Sequence, residues 1–123
     1  GSTELRGQVY EGVIESSDPR FEGTLTGTLN EDAQPVSGSN DPVQAQWGAE
    51  RIENDGGAWD CTWSGGEIQF GLFQRMKWCV GVDGYEGQAA RLLSTQGIGQ
   101  PTVEWAGVTW YGDLPPMPIA PGQ

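Results

Sequence analysis

The sequence predicts an all-β domain, and three observations carry that prediction. Glycine and proline are abundant, at 20 and 8 of 123 residues. No window sustains apolar residues at i, i+3, i+4 and i+7. Turn signals recur at hairpin spacing throughout. Glycine interrupts nearly every candidate helix, at about 1 kcal/mol per interior position. The length suits one domain with a real core and is too short for two.

The elements follow in order. QVYEGVIES (8–16) is a first strand whose apolar content lies in Val9 and Ile14. Ser-Asp-Pro-Arg at 17–20 is a turn, because Asp18 can bond its own backbone and Pro19 presets φ. FEGTLTGTLN (21–30) is a second strand, with Phe21, Leu25 and Leu29 on one face. Residues 31–42 show no periodicity and read as a surface loop. VQAQWGAERIEN (43–54) and AWDCTWSG (58–65) are strands joined by NDGG, whose Asp-Gly and Gly-Gly pairs accept positive φ. In EIQFGLFQRMKWCVGV (67–82), Phe70, Leu72, Met76, Trp78, Val80 and Val82 share one parity and are expected to face the core. DGYEG turns the chain into QAARLLSTQ (88–96), and TVEWAGVTWYG (102–112) closes the set. Gly1-Ser2 reads as the remnant of a cleaved tag, 3–114 as the β domain, and 115–123 as a proline-rich tail.

Seven or eight antiparallel strands in this length leave a closed barrel or a two-sheet sandwich. Closure removes sheet edges, and a chain with a single lysine has few edge guards, so the barrel is favoured.

Composition excludes several functions. Six basic residues face seventeen acidic ones, for a net charge of −11, which repels phosphate backbones and anionic lipid. Nucleic-acid and membrane-surface roles are therefore not expected, and no apolar run is long enough for a spanning helix. Histidine is absent, which removes Ser-His-Asp and Cys-His catalysis and His-based zinc sites. Two cysteines cannot form a Cys₄ site. No metal and no cofactor are expected, and chemistry falls to carboxylates, tyrosines, arginines, the lysine or a thiol.

Four stretches, IESSDPRFEGTLTGTLNED, RIENDGGAWDCTWSG, GVDGYEG and WAGVTWYGDLPPMP, resemble a group of bacterial proteins of the small-barrel type shared by allene oxide cyclase and dirigent proteins. The resemblance spans most of residues 8–118 and rests on turn and packing motifs. It implies a barrel whose plant-type members isomerise, or guide the stereochemistry of, apolar oxygenated molecules held inside. No catalytic residue of that group is carried over to this chain.

Cys61 and Cys79 are eighteen positions apart on consecutive strands. A disulfide closing that loop would contribute roughly 3 kcal/mol and imply an oxidising, secreted or periplasmic compartment. Buried free thiols, or one reactive thiol, would leave a cytoplasmic location open. Parity argues against the bridge unless a bulge intervenes, since Cys61 goes with Trp59 and Trp63 whereas Cys79 opposes Trp78 and Val80.

Six tryptophans are many for a core of this size, and each brings apolar area with one N–H. Trp47, Trp59, Trp63, Trp78, Trp105 and Tyr111 are the candidate ligand-binding residues. Trp105 and Trp110 have opposite parity, so one regular strand cannot send both inward. Glu53, Asp60 and Glu104 are the candidate catalytic carboxylates and Tyr10 the candidate hydroxyl donor. An inward carboxylate in an apolar cavity would have a raised pKa. Arg51, flanked by Glu50 and Glu53, reads equally well as a surface ion-pair group.

The functional expectation is a barrel binding a small apolar or oxygenated organic molecule. Catalysis by the same lumen, an isomerisation or cyclisation, is left open, as is oligomeric state, monomer or dimer. The alternative is a carbohydrate-binding module displaying tryptophans on a flat platform.

Overall fold

The computed structural model describes residues 3–35, 42–69, 71–97, 99, 102–116 and 121. The tag remnant, Phe70, residues 36–41 and most of the proline-rich tail lie outside the described residues.

Seven antiparallel strands form one sheet in sequence order, β1 to β7. They are β1 (Thr3–Ile14), β2 (Gly23–Pro35), β3 (Pro42–Asn54), β4 (Gly57–Gln69), β5 (Leu72–Val82), β6 (Gln88–Gly97) and β7 (Glu104–Tyr111). Two 3-10 turns, Pro19–Phe21 and Asp83–Tyr85, follow β1 and β5. The all-β expectation and the strand count hold. The two-sheet arrangement does not: every strand pairs with its sequence neighbour in a single sheet. Among the described residues no ladder joins β1 to β7, so the sheet is not closed.

Strand limits differ from the sequence reading where pairing outruns local pattern. β1 starts five residues earlier, at Thr3, because it pairs with residues 31–33 of β2. A bulge at Arg6-Gly7 separates the Leu5↔Glu31 pair from the Gln8↔Leu29 pair. Gly7 takes φ 63°, which only glycine adopts without cost, and its N–H donates to Asn30 Oδ1 at 3.1 Å. β2 and β3 extend through much of the expected 31–42 loop, pairing as far as Pro35↔Pro42. Phe21 belongs to the first 3-10 turn, where the Asp18 side chain accepts from Arg20 N.

The Asp55-Gly56 hairpin is as the sequence predicts, with Asn54 paired to Gly57. Asn54 also ties it to the turn after β1, donating to Arg20 O at 2.9 Å and Glu22 O at 2.8 Å. Tyr85 Oη, from the turn after β5, donates to Asn54 Oδ1 at 2.6 Å.

Directly paired residues of antiparallel strands share a face, so the ladder assigns the inner one. One row runs Tyr10, Gly27, Glu50, Cys61, Cys79, Ala90, Thr109. The next holds Leu29, Gly48, Trp63, Lys77, Leu92 and Gly107. The sheet curls strongly about this face. Arg20, in the turn after β1, reaches Gln88 Oε1 at 2.6 Å and Thr109 Oγ1 of β7 at 3.3 Å. Asp18 holds that guanidinium at 2.6 Å.

The facing of β5 corrects the sequence reading. Lys77 and Cys79 are buried, whereas Val80, of the opposite parity, is 40 % exposed. Leu72, Met76, Trp78, Val80 and Val82 thus belong to the outer face, and Arg75, Lys77 and Cys79 to the inner one. Cys61 and Cys79 stand directly opposite each other and are bonded, with no bulge between them.

The apolar core fills one end of the inner face. Phe21, Ile52, Trp59, Cys61, Cys79, Ala90 and Leu92 are its buried members, with Ile14, Leu25, Tyr85 and Trp105 packed against it. Trp59 is stacked between Phe21 at 4.6 Å and Tyr85 at 5.4 Å, and its N–H donates to Arg20 O at 3.0 Å.

Candidate functional site

Beyond that core the inner face changes character, from apolar to charged. Glu50 lies at the centre of the Tyr10 row, fully closed to solvent. Gly27 separates it from Tyr10, and the missing side chain lets the phenol cross β2. A Cβ there would stand 2.5 Å from Tyr10 Cζ and 2.9 Å from Glu50 Cγ. Tyr10 Oη donates a short hydrogen bond to Glu50 Oε1. Lys77 Nζ donates to Glu50 Oε2 at 2.5 Å, and the ammonium lies 3.6 Å from the centroid of the Trp105 ring.

Burial sets the ionisation behaviour of this cluster. It pushes the Tyr10 phenol far above its ordinary value, and the hydrogen bond to Glu50 adds to the rise. Burial lowers Lys77 to about 8, with the Glu50 charge opposing the fall. Tyr10 is therefore a persistent hydrogen donor, and Lys77 is a cation that gives up its proton readily.

A second cation lies one row further along. Arg75 stacks on Trp63 at 4.5 Å and approaches the Tyr10 ring at 6.0 Å. Its Nη2 reaches Gln46 Oε1 at 3.4 Å, and Gln46 Nε2 donates to Glu31 Oε1 at 2.6 Å. Among the described residues Arg75 has no carboxylate within ion-pair distance. The buried Trp63 N–H lies beside the Tyr10 hydroxyl but, among the described residues, finds no acceptor at bonding geometry.

Two hollows are lined by neighbours of the cluster, Arg75 in one and Trp105 and Leu92 in the other. One of about 200 Å³ is lined by Gln46, Phe73, Arg75, Ser94, Gln96 and Val103. The other, about 360 Å³, opens along the seam between β7 and the turn after β1, with Ile14, Arg20, Phe21, Leu92, Trp105 and Thr109 among its walls. Among the described residues no group of three or more Cys, Asp or Glu side chains could hold a metal ion.

The residues singled out from sequence divide between the faces. Tyr10, Trp59, Trp63 and Trp105 belong to the inner face, as do the bonded Cys61 and Cys79. Glu53 and Asp60 are on the outer face, paired with Arg51 at 2.9 and 3.5 Å, and Glu104 is exposed at the start of β7. Arg51 is the surface ion-pair group, and Glu50, on the opposite face, turns away from it. Trp47 is 38 % exposed beneath the Arg6 guanidinium, and Tyr111 is 86 % exposed. Trp78 lines a shallow outer groove of about 580 Å³ with Val9, Ala49, Val80 and Leu114. Sequence reasoning counted the lysine and the arginines by type alone and grouped Glu50 with the other strand carboxylates, without selecting Lys77, Arg75 or Glu50 as site residues. The available signal was Cys79: once paired with Cys61 it faces inward, and alternation takes Lys77 and Arg75 with it.

Among the described residues no helix is long and apolar enough to cross a membrane. No family model, curated protein or solved structure matches this chain.

Proposed function

We propose that this chain is a small-molecule-binding protein of the barrel type, its curled sheet holding an oxygenated organic ligand against the inner face. The observation that carries this reading is the closed Tyr10–Glu50–Lys77 cluster, whose neighbours Arg75 and Trp105 each line a hollow. A buried ion pair adds little net stability over a well-packed apolar pair, so structural need alone is a weak reason to keep one. Perturbed ionisable groups beside a cavity are the usual mark of a binding or reacting centre.

Ligand class follows from the walls. Arg75 offers a guanidinium with no carboxylate partner in the structure described, and the Trp63 N–H is an unmet buried donor; both suit ligand oxygen. Trp105, Phe73, Leu92 and Val103 supply apolar contact. The reaction class that needs no cofactor here is isomerisation or cyclisation, with Tyr10 donating to a developing oxyanion and Glu50 moving a proton. The resemblance to the allene oxide cyclase and dirigent group agrees with this reading. The Cys61–Cys79 disulfide supports an oxidising compartment.

The test is a panel of apolar and oxygenated probes titrated against tryptophan emission, with Arg75→Gln beside the parent. Saturable binding weakened by Arg75→Gln supports the inner-face site. A protein that ignores the whole panel but is retarded by polysaccharide gels favours the carbohydrate alternative instead.

A further inference from the structure

Lys77 is the only lysine in the chain. Lysine is ordinarily the most solvent-seeking of side chains, yet this one is 2 % exposed and stands in the middle of the inner face. We infer that Lys77 captures a carbonyl compound, an aldehyde or ketone entering by the seam cleft, as an imine on its Nζ. The inference rests on the small-molecule reading above and names the substrate class of that site.

Position supplies the first argument. Trp63 and Leu92 stand directly opposite Lys77 on β4 and β6, and Trp105 covers Nζ at 3.6 Å. Leu92 and Trp105 are also walls of the 360 Å³ cleft, a volume at the low end of small-molecule sites. The amine therefore lies behind the cleft wall, and Trp105, only partly buried, is the side chain that must turn aside for entry.

Chemistry supplies the second. The ammonium first passes a proton to Glu50 Oε2, 2.5 Å away. The neutral amine adds to the carbonyl carbon, forming a C–N bond as the carbonyl π pair moves to oxygen, and a proton shed by the new ammonium nitrogen neutralises that oxygen. The carbinolamine then loses its hydroxyl as water, accepting the proton Glu50 had stored, and the nitrogen lone pair forms the C=N bond. One carbonyl compound and one ammonium give one protonated imine and one water, with Glu50 returned to its carboxylate and no redox partner. Tyr10 holds the other Glu50 oxygen, fixing the carboxylate for both transfers. The lowered Lys77 pKa, about 8, makes the free amine accessible near neutral pH.

The experiment is reductive trapping. The folded protein is incubated with hexanal or benzaldehyde and cyanoborohydride near neutral pH, then read by intact mass and peptide mapping. With one lysine, the only amines are Lys77 and the amino terminus. The expected result is a single adduct at Lys77, formed at least about tenfold faster than on acetyl-lysine in the same tube. Glu50→Gln should slow it by about tenfold, the scale of a lost proton relay. Lys77→Arg, which keeps the charge, should abolish it, and Trp105→Ala should accelerate it. Adducts confined to the amino terminus, or a Lys77 rate no better than that of acetyl-lysine, overturn the inference. So does labelling seen only in Trp105→Ala, because the parent cleft would then never admit the aldehyde. The matching alcohols, titrated without reductant, separate the two claims. Alcohol binding without aldehyde trapping removes the lysine chemistry and leaves the site standing; no binding at all removes the site.

Discussion

Lys77 Nζ lies 2.5 Å from Glu50 Oε2 with both side chains closed to solvent, at 2 % and 0 % exposure. Such a pair is costly to break and cheap to replace as a unit. Lys77→Met or Glu50→Leu alone leaves the partner charge buried and should cost about 3–5 kcal/mol in urea unfolding. The double variant should recover most of that loss. Additive losses in the double variant would mean that the two charges are not coupled.

The same pair sets a pH signature. Between about pH 8 and 10 the unfolded lysine keeps its proton while the folded one releases it, so stability should rise with pH. The slope is at most about 1.4 kcal/mol per pH unit. Above about pH 10 the unfolded tyrosine ionises whereas buried Tyr10 does not, and stability should then fall. Urea melts across this range should trace a maximum, and a curve already falling from pH 8 would refute the assignment.

The crosslink between Cys61 and Cys79, at 3 % and 0 % exposure, should resist reductant until the sheet opens. Replacing both cysteines by alanine should cost roughly 3 kcal/mol, the value for a loop of this length. Thiol labelling in mild reductant, with and without urea, checks the protection. Rapid labelling of the folded protein would contradict it.

That crosslink also explains what the sequence disclosed and what it concealed. The strands and their turns were legible because local chemistry decides them: Asp55-Gly56 makes a two-residue hairpin, and Asp18-Pro19 starts a 3-10 turn. The facing of β5 was not. Leu72, Met76, Trp78, Val80 and Val82 alternate as a buried face should, but the rule behind that reading assumes an apolar interior. Here the interior carries Arg75 and Lys77, held by Glu50 from β3 and Tyr10 from β1, contacts invisible to a local pattern. The apolar stripe is left on the outer face. The apparent mismatch of the two cysteines was the one hint that the pattern had inverted.

Charge reversal of importance between the faces gives another test. Glu53 and Asp60 are 58 % and 48 % exposed around Arg51. Glu53→Gln and Asp60→Asn should each shift stability by less than about 0.5 kcal/mol and leave ligand binding intact. Glu50→Gln should weaken both. If the outer variants lost binding while Glu50→Gln kept it, the site would have to move to the outer groove.

Gly27 offers the sharpest structural test of how the cluster is assembled. It stands between Tyr10 and Glu50 on the ladder, and a methyl group there would overlap the phenol, 2.5 Å from Cζ. Gly27→Ala should therefore cost about 1–3 kcal/mol, the range for overpacking. The cost comes from displacing Tyr10 first and Glu50 second, and not from backbone strain, because Gly27 is not among the glycines with positive φ. Tyr10→Ala should lose stability on its own account, through a cavity and an unmet oxygen on Glu50. In the double variant the added methyl meets no ring and only Glu50 Cγ, at 2.9 Å, so Gly27→Ala should cost clearly less against a Tyr10→Ala background than in the parent. The thermodynamic cycle measures that coupling directly. Equal cost in both backgrounds would show that Tyr10 does not cross β2, and the hydrogen bond to Glu50 would go with it.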